Sequence, residues 1–190
     1  MTEIERWLNT KQPWVKAQQS RLADGIQIQT PWQSNKILIF GDEFELLFGR
    51  SSYIDHPKKQ VVIKTSTRSS VKSMRMQLMK LLAVELEQYI DSKLPQLSTQ
   101  MNAPVVSVKL REYKSRWGSC SSQYALTFNI LLAGAPKRMI DHVMVHELAH
   151  CHILSHSKKF WLLVAQYDPD YKSAVNWFKT NGKQLFIAKE

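Results

Sequence analysis

Three histidines and a glutamate in the last third of the chain are spaced for metal chemistry. His146-Glu147-Leu148-Ala149-His150 reads H-E-x-x-H, and His156 follows six residues after His150. In a helix, residues i and i+4 stand one turn apart on the same face, so both imidazoles can reach a single cation. Glu147, one step round from His146, can reach water on that cation without itself being a ligand. Zinc suits imidazole nitrogen, and three ligands leave a fourth position for a water whose pKa the metal lowers to about 7. The pattern predicts one zinc ion, or another divalent transition metal, at His146, His150 and His156, with Glu147 as the base that takes the proton.

The third ligand sets a condition on the backbone. Six residues is about 240° round a continuing helix, the wrong face, so the helix must end after His150 and the chain must fold back. No glycine stands between His150 and His156 to ease that turn, but Ser155 and Ser157 are N-cap types ahead of a new helix at Lys158-Lys159-Phe160-Trp161. His152 is the alternative third ligand. His142, four residues before His146, is either a partner of the ligand set or an ordinary hydrogen-bonded histidine. His56, in a loop, has no role in this reading. Cys151 adjoins a ligand in sequence yet faces elsewhere and reads as packing. Cys120 has no identifiable base to make it a nucleophile.

The elements that must position these groups follow from periodicity. An N-terminal helix is expected over Ile4–Leu22, then short strands at Ile26–Gln29, Lys36–Phe40, Glu43–Phe48 and Val61–Lys64, with Gly41-Asp42 as a hairpin turn. The polar stretch from Arg50 to Lys59 reads as loop. Ser69–Leu94 has helical spacing through Val71, Met74, Leu78, Leu82 and Leu86, with Pro95 at its end; Met74, Met76 and Met79 read as core fillers. Val105–Tyr113 and Tyr124–Ile130 read as strands, joined by the polar turn KSRWGSCSSQ. Pro136 opens the metal-site helix, which runs to about Cys151, and the last helix spans Asp170 to Thr180 before Asn181-Gly182.

Composition bounds the class. At 190 residues with 44% apolar and 10% aromatic residues, the chain can bury one real core, and no repeat or linker divides it. The expectation is one α+β domain over residues 1–190, in which 1–67 form an N-terminal helix and hairpin region and 68–190 a catalytic core. The opening MTEIERWLNTKQPWV lacks the apolar stretch of a signal peptide, and no run approaches the roughly 18–20 apolar residues of a membrane span. Two cysteines are too few for a disulfide framework, so a cytoplasmic protein with reduced thiols and no membrane partner is expected. The net charge of +10 favours polyanionic partners, nucleic acid among them, without naming one.

Several spaced motifs go beyond H-E-x-x-H. Lys114-Ser-Arg-Trp-Gly-Ser-Cys120, Leu126-Thr-Phe-Asn129, Ala135-Pro136, Ile140-Asp141, the HELAH run and His156-Ser157 with Phe160-Trp161 together resemble the YgjP-like family. That family is similar to the SprT-like and minigluzincin metallopeptidases. The resemblance covers Arg111 to Trp161. It implies a zincin-like α+β fold, with the HExxH helix packed on a small, mostly antiparallel sheet. It also implies metal at His146, His150 and His156, and Glu147 as catalytic base. Members are classed as metallopeptidases, and a nucleoside triphosphate (UTP) pyrophosphatase activity has also been attached to the family.

Two enzymatic readings and one binding reading follow. In a peptidase, Glu147 deprotonates the attacking water and later protonates the leaving amine. In a nucleotide pyrophosphohydrolase, Lys109, Arg111, Lys114 and Arg116 would hold phosphates, although phosphoryl chemistry usually relies on Mg²⁺ and clustered carboxylates, which this chain lacks as a motif. A nucleic-acid-binding module with a structural zinc would have no use for Glu147. Arg116 has two readings, a fork for a substrate carboxylate or phosphate and a structural partner of Asp141. Gly118 would let the backbone approach a neighbour closely. Substrate and oligomeric state are not specified by these residues.

Overall fold

The computed structural model describes residues 29–66 and 68–187. The helix expected over Ile4–Leu22 lies outside the described residues, as does most of the strand expected at Ile26–Gln29, of which Gln29 makes an isolated bridge to Ile187. One helical turn, α1 (Pro31–Ser34), leads into the hairpin of β1 (Lys36–Ile39) and β2 (Asp42–Gly49). Its two-residue turn is Phe40-Gly41, one position earlier than expected, since Asp42 already pairs with Ile39. Both turn residues have positive φ, 51° and 88°, the combination whose twist matches the flanking strands. A Cβ on Gly41 would stand 2.9 Å from Pro136 Cγ, so the hairpin tip rests on the residue that precedes the helix carrying His146 and His150.

Within the expected loop lies a short strand, β3 (Tyr53–Asp55), too brief to show a period in sequence. It pairs antiparallel with β4 (Gln60–Lys64), which in turn lies parallel to β2, giving the order β1-β2-β4-β3. Ile37, Ile39, Phe44, Leu46, Val61 and Ile63 alternate with more exposed residues and are buried. Helix α2 (Val71–Gln100) packs on β4, burying Leu78, Leu82, Leu86, Ile90 and Leu94 at every fourth position. Its start is fixed by Ser70, whose side chain accepts from the Ser73 N–H. The helix does not stop at Pro95. Proline removes one N–H, to the carbonyl of Asp91, and both residues lie on the exposed face where water can take that carbonyl.

The second sheet joins β5 (Ser107–Arg111), β6 (Gly118–Cys120) and β7 (Ala125–Asn129) in the order β5-β7-β6, parallel in the first pairing and antiparallel in the second. So the fold is mixed α and β, as expected, but the described residues form two small sheets where one was anticipated, and each contains a parallel pair. Strand β6 falls inside the segment read as a polar turn. A 3-10 segment (Ile130–Gly134) then leads to α3 (Lys137–Ala149), α4 (Lys158–Tyr167) and α5 (Tyr171–Asn181).

Asn129 holds the crossing between β5 and β6 in place. Fully buried, its Nδ2 donates to the carbonyls of Tyr113 (3.0 Å) and Arg116 (2.9 Å), and its Oδ1 accepts from the Leu131 N–H (3.2 Å). Replacing Asn129 by Ala strands three backbone groups, each costing about 1–3 kcal/mol when buried and unmet, less what water recovers. We expect Asn129→Ala to lower unfolding free energy by about 2–4 kcal/mol in urea titration. A loss under about 1 kcal/mol would mean the crossing holds itself.

Candidate metal centre

Helix α3 carries His146, Glu147 and His150, and the way it ends decides what His156 can do. The amides of Cys151, His152 and Ile153 fold back to the carbonyls of Leu148, Ala149 and Ala149 at 3.0–3.1 Å, tightening the last turn. No residue from 150 to 156 has positive φ, so the reversal needs no glycine. Ser157 then caps α4, its side chain accepting from the Phe160 N–H. His156 is thereby set just before a new helix and faces back onto α3.

The outcome is a cluster of three imidazoles. His146 Nε2 lies 3.2 Å from His150 Nε2 and 3.0 Å from His156 Nε2. Four ligands at the Zn–N distance of about 2.0–2.1 Å around a tetrahedral ion would be roughly 3.3 Å apart, close to this spacing. Phe160, fully buried, forms the floor: its ring stacks on His150 (centroids 4.5 Å) and meets His146 and His156 edge-on (4.9 Å each). Trp161 stacks on His156 from the other side, at 5.8 Å. Burial, with the neighbouring imidazoles, pushes His146 down to about 3. Burial also lowers His150, whose Nδ1–H donates to the Ile153 carbonyl at 3.1 Å. That bond leaves Nε2 with its lone pair facing the cluster. His146 and His150, both held low by burial, with His156 beside them, are a set of imidazoles that suits a divalent metal of the zinc type.

Glu147 points to the same place from an apolar wall. It is buried, and burial pushes its carboxyl up to about 8 against the opposing pull of Arg116. Its room comes from Gly118 on β6, where a Cβ would lie 2.5 Å from Glu147 Oε1 and 2.7 Å from its Cγ. The close approach expected of Gly118 is an approach to Glu147. A cavity of about 670 Å³ opens over these groups, walled by Trp117, Val143, Leu154, Trp161, Val175 and Phe178.

Other sequence candidates fall elsewhere. His152 donates from Nε2 to the Met101 carbonyl at 2.9 Å and does not join the cluster, and His56 pairs with Glu85. His142 Nδ1–H donates to Asp168 Oδ2 at 2.6 Å, a buried pair that the partly exposed Arg138 joins from the surface. Burial lowers His142. Asp141 accepts from the Tyr89 hydroxyl at 2.7 Å and is not the partner of Arg116, whose guanidinium sits 5.4 Å from the Tyr113 ring centroid. Of the basic residues Lys109, Arg111, Lys114 and Arg116, only Arg116 lines the cavity; Lys109 and Arg111 lie on β5, across the sheet from β6. The sequence reading missed Phe160 as the floor and Asp168 as the partner of His142. Ring-stacking and buried acids have no spacing rule that reveals them.

The family profile described as YgjP-like, metallopeptidase domain, matches residues 1–181. The chain belongs to the YgjP-like metallopeptidase family. A crystal structure of the metallopeptidase zymogen of Pyrococcus abyssi abylysin is similar at 19% identity, covering 54% of this chain and 99% of that one, with a TM-score of 0.44. No curated protein matches the chain. Membership of a metallopeptidase family implies a divalent metal, typically zinc, and the three-histidine cluster is the group of side chains among the described residues that could hold it. No helix among those residues is long and apolar enough to cross a membrane.

Gly118→Ala should displace the Glu147 carboxylate while leaving the histidines in place. We expect hydrolytic turnover to fall by about 10²-fold or more, the scale that a displacement of about 1 Å can cost, with metal content unchanged. Full activity in Gly118→Ala would show that Glu147 does not need this position.

Proposed function

We propose that the chain is a zinc-dependent peptidase in which His146, His150 and His156 hold the ion and Glu147 is the catalytic base. The observation that carries this reading is the buried Glu147 carboxylate, wedged against Gly118 and beside three imidazoles in one cavity. Zinc, when bound, supplies a Lewis acid that acidifies water and polarises a carbonyl. Burial raises the Glu147 carboxyl, and a divalent cation held beside it would favour the ionised form; as a carboxylate Glu147 takes the proton of the attacking water and returns it to the leaving amine, so its protonation state is restored at the end of the cycle. Phe160 and the Ile153 carbonyl keep the imidazoles oriented throughout.

The cavity walls favour a peptide over a nucleotide. Trp117, Val143, Leu154, Trp161, Val175 and Phe178 offer apolar and aromatic surface suited to a large apolar side chain next to the scissile bond. Arg116 is the basic residue at the cavity, enough to hold one carboxylate of a substrate but far from the set of cations a triphosphate calls for. Among the described residues, Glu147 is the carboxylate lining that cavity, and no acidic cluster of the kind that holds the Mg²⁺ of phosphoryl transfer stands beside it.

The test combines a variant with a substrate series. Glu147→Gln keeps the side-chain shape and should lower kcat on peptides by about 10²–10⁴-fold with zinc content unchanged. Peptides with Phe or Leu beside the cleaved bond should exceed Gly or Ala peptides in kcat/KM by about tenfold or more. Arg116→Ala should raise KM only for substrates bearing a negative group near that bond. Hydrolysis of UTP in preference to every peptide, or loss of zinc in Glu147→Gln, would reject the reading.

A further inference from the structure

The chain has two cysteines, and neither is part of the proposed reaction. Cys120 ends strand β6, and Cys151 follows the cap of α3, yet their sulfurs lie 3.7 Å apart. Both are free thiols and both are half-buried. The imidazole cluster does not include them. Cys120 lines the same cavity as Glu147, so a small solute that enters the cavity reaches this sulfur as well. We propose that Cys120 and Cys151 form a modification site, a dithiol that a hydroperoxide converts to a reversible disulfide within the chain.

The chemistry balances without further reactants. The hydroperoxide transfers one oxygen to the first thiol, giving a sulfenic acid and releasing the alcohol. The second thiol attacks the sulfenic sulfur, the S–S bond forms and the oxygen leaves as water. Two S–H hydrogens and two electrons pass to the peroxide, whose O–O bond is broken. A disulfide is about 2.05 Å long, so the sulfurs must close by roughly 1.7 Å, a shift within reach of side-chain rotation and a small backbone adjustment. The bond would staple the strand that carries Gly118 to the end of the helix that carries Glu147 and His150.

The experiment treats the full zinc-loaded chain with excess tert-butyl hydroperoxide. Thiols are then counted after denaturation, and the digest is mapped by mass spectrometry. The expected result is joint loss of both thiols, an intact mass lower by two hydrogens, a cross-linked peptide containing Cys120 and Cys151, and full recovery with a thiol reductant. Cys151→Ser under the same treatment should show no two-hydrogen loss and should add oxygen at Cys120 instead. Oxygen added to one thiol of the unmutated chain with the other left free would overturn the proposal. So would a cross-link between two chains, or two thiols that persist when the same chain unfolded in urea consumes both.

Discussion

The site depends on how closely strand β6 can approach helix α3. Glu147 occupies the volume that any side chain at position 118 would claim, with 2.5 Å between its Oε1 and the place of the missing Cβ. A carboxylate forced into an apolar wall loses water, and the rise of its pKa to about 8 records that cost. The rest of the fold keeps the approach in being. Asn129 ties the crossing before β6 to the end of β7, so the strand cannot drift away. Gly41 lets the first hairpin seat against Pro136, which places the start of α3. Neither contact touches the chemistry, yet both fix the distance on which it depends.

The histidine cluster is a second, separable achievement of packing. His146 and His150 converge through helical period alone, and that much follows from their spacing. His156 converges because the helix tightens at its last turn and restarts under the Ser157 cap, with Phe160 packed beneath all three rings. The same restart brings Trp161 onto His156 and continues into Tyr171 of α5, which stacks on Trp161 at 5.1 Å. An aromatic column thus runs from the cluster into the last helix.

Legibility in the sequence followed the strength of each local signal. The long helix α2, helix α3 and the strands around Ile37, Leu46 and Val62 announce themselves through repeated apolar positions. Strands β3 and β6 have three residues each, too few for a period, and pairing with β4 and β7 is what makes them strands. Pro95 misled because a proline on an exposed helix face costs less than one facing the core. The spacing pointed to His146, His150, His156 and Glu147 as one group, and the missing side chain at Gly118 pointed to a close approach there. It gave no hint that the neighbour of Gly118 is Glu147, since residues 118 and 147 meet only through tertiary packing. Arg116 was assigned two partners on charge alone, and Tyr89 has taken one of them, Asp141.

A crystal structure of the protein grown with zinc tests the central claim most directly. The expected result is one zinc ion about 2.0–2.1 Å from Nε2 of His146, His150 and His156, with the Glu147 carboxylate outside the ligand set and still packed against Gly118. Zinc bound directly by Glu147, or His156 turned to solvent with His152 or another side chain in its place, would contradict it.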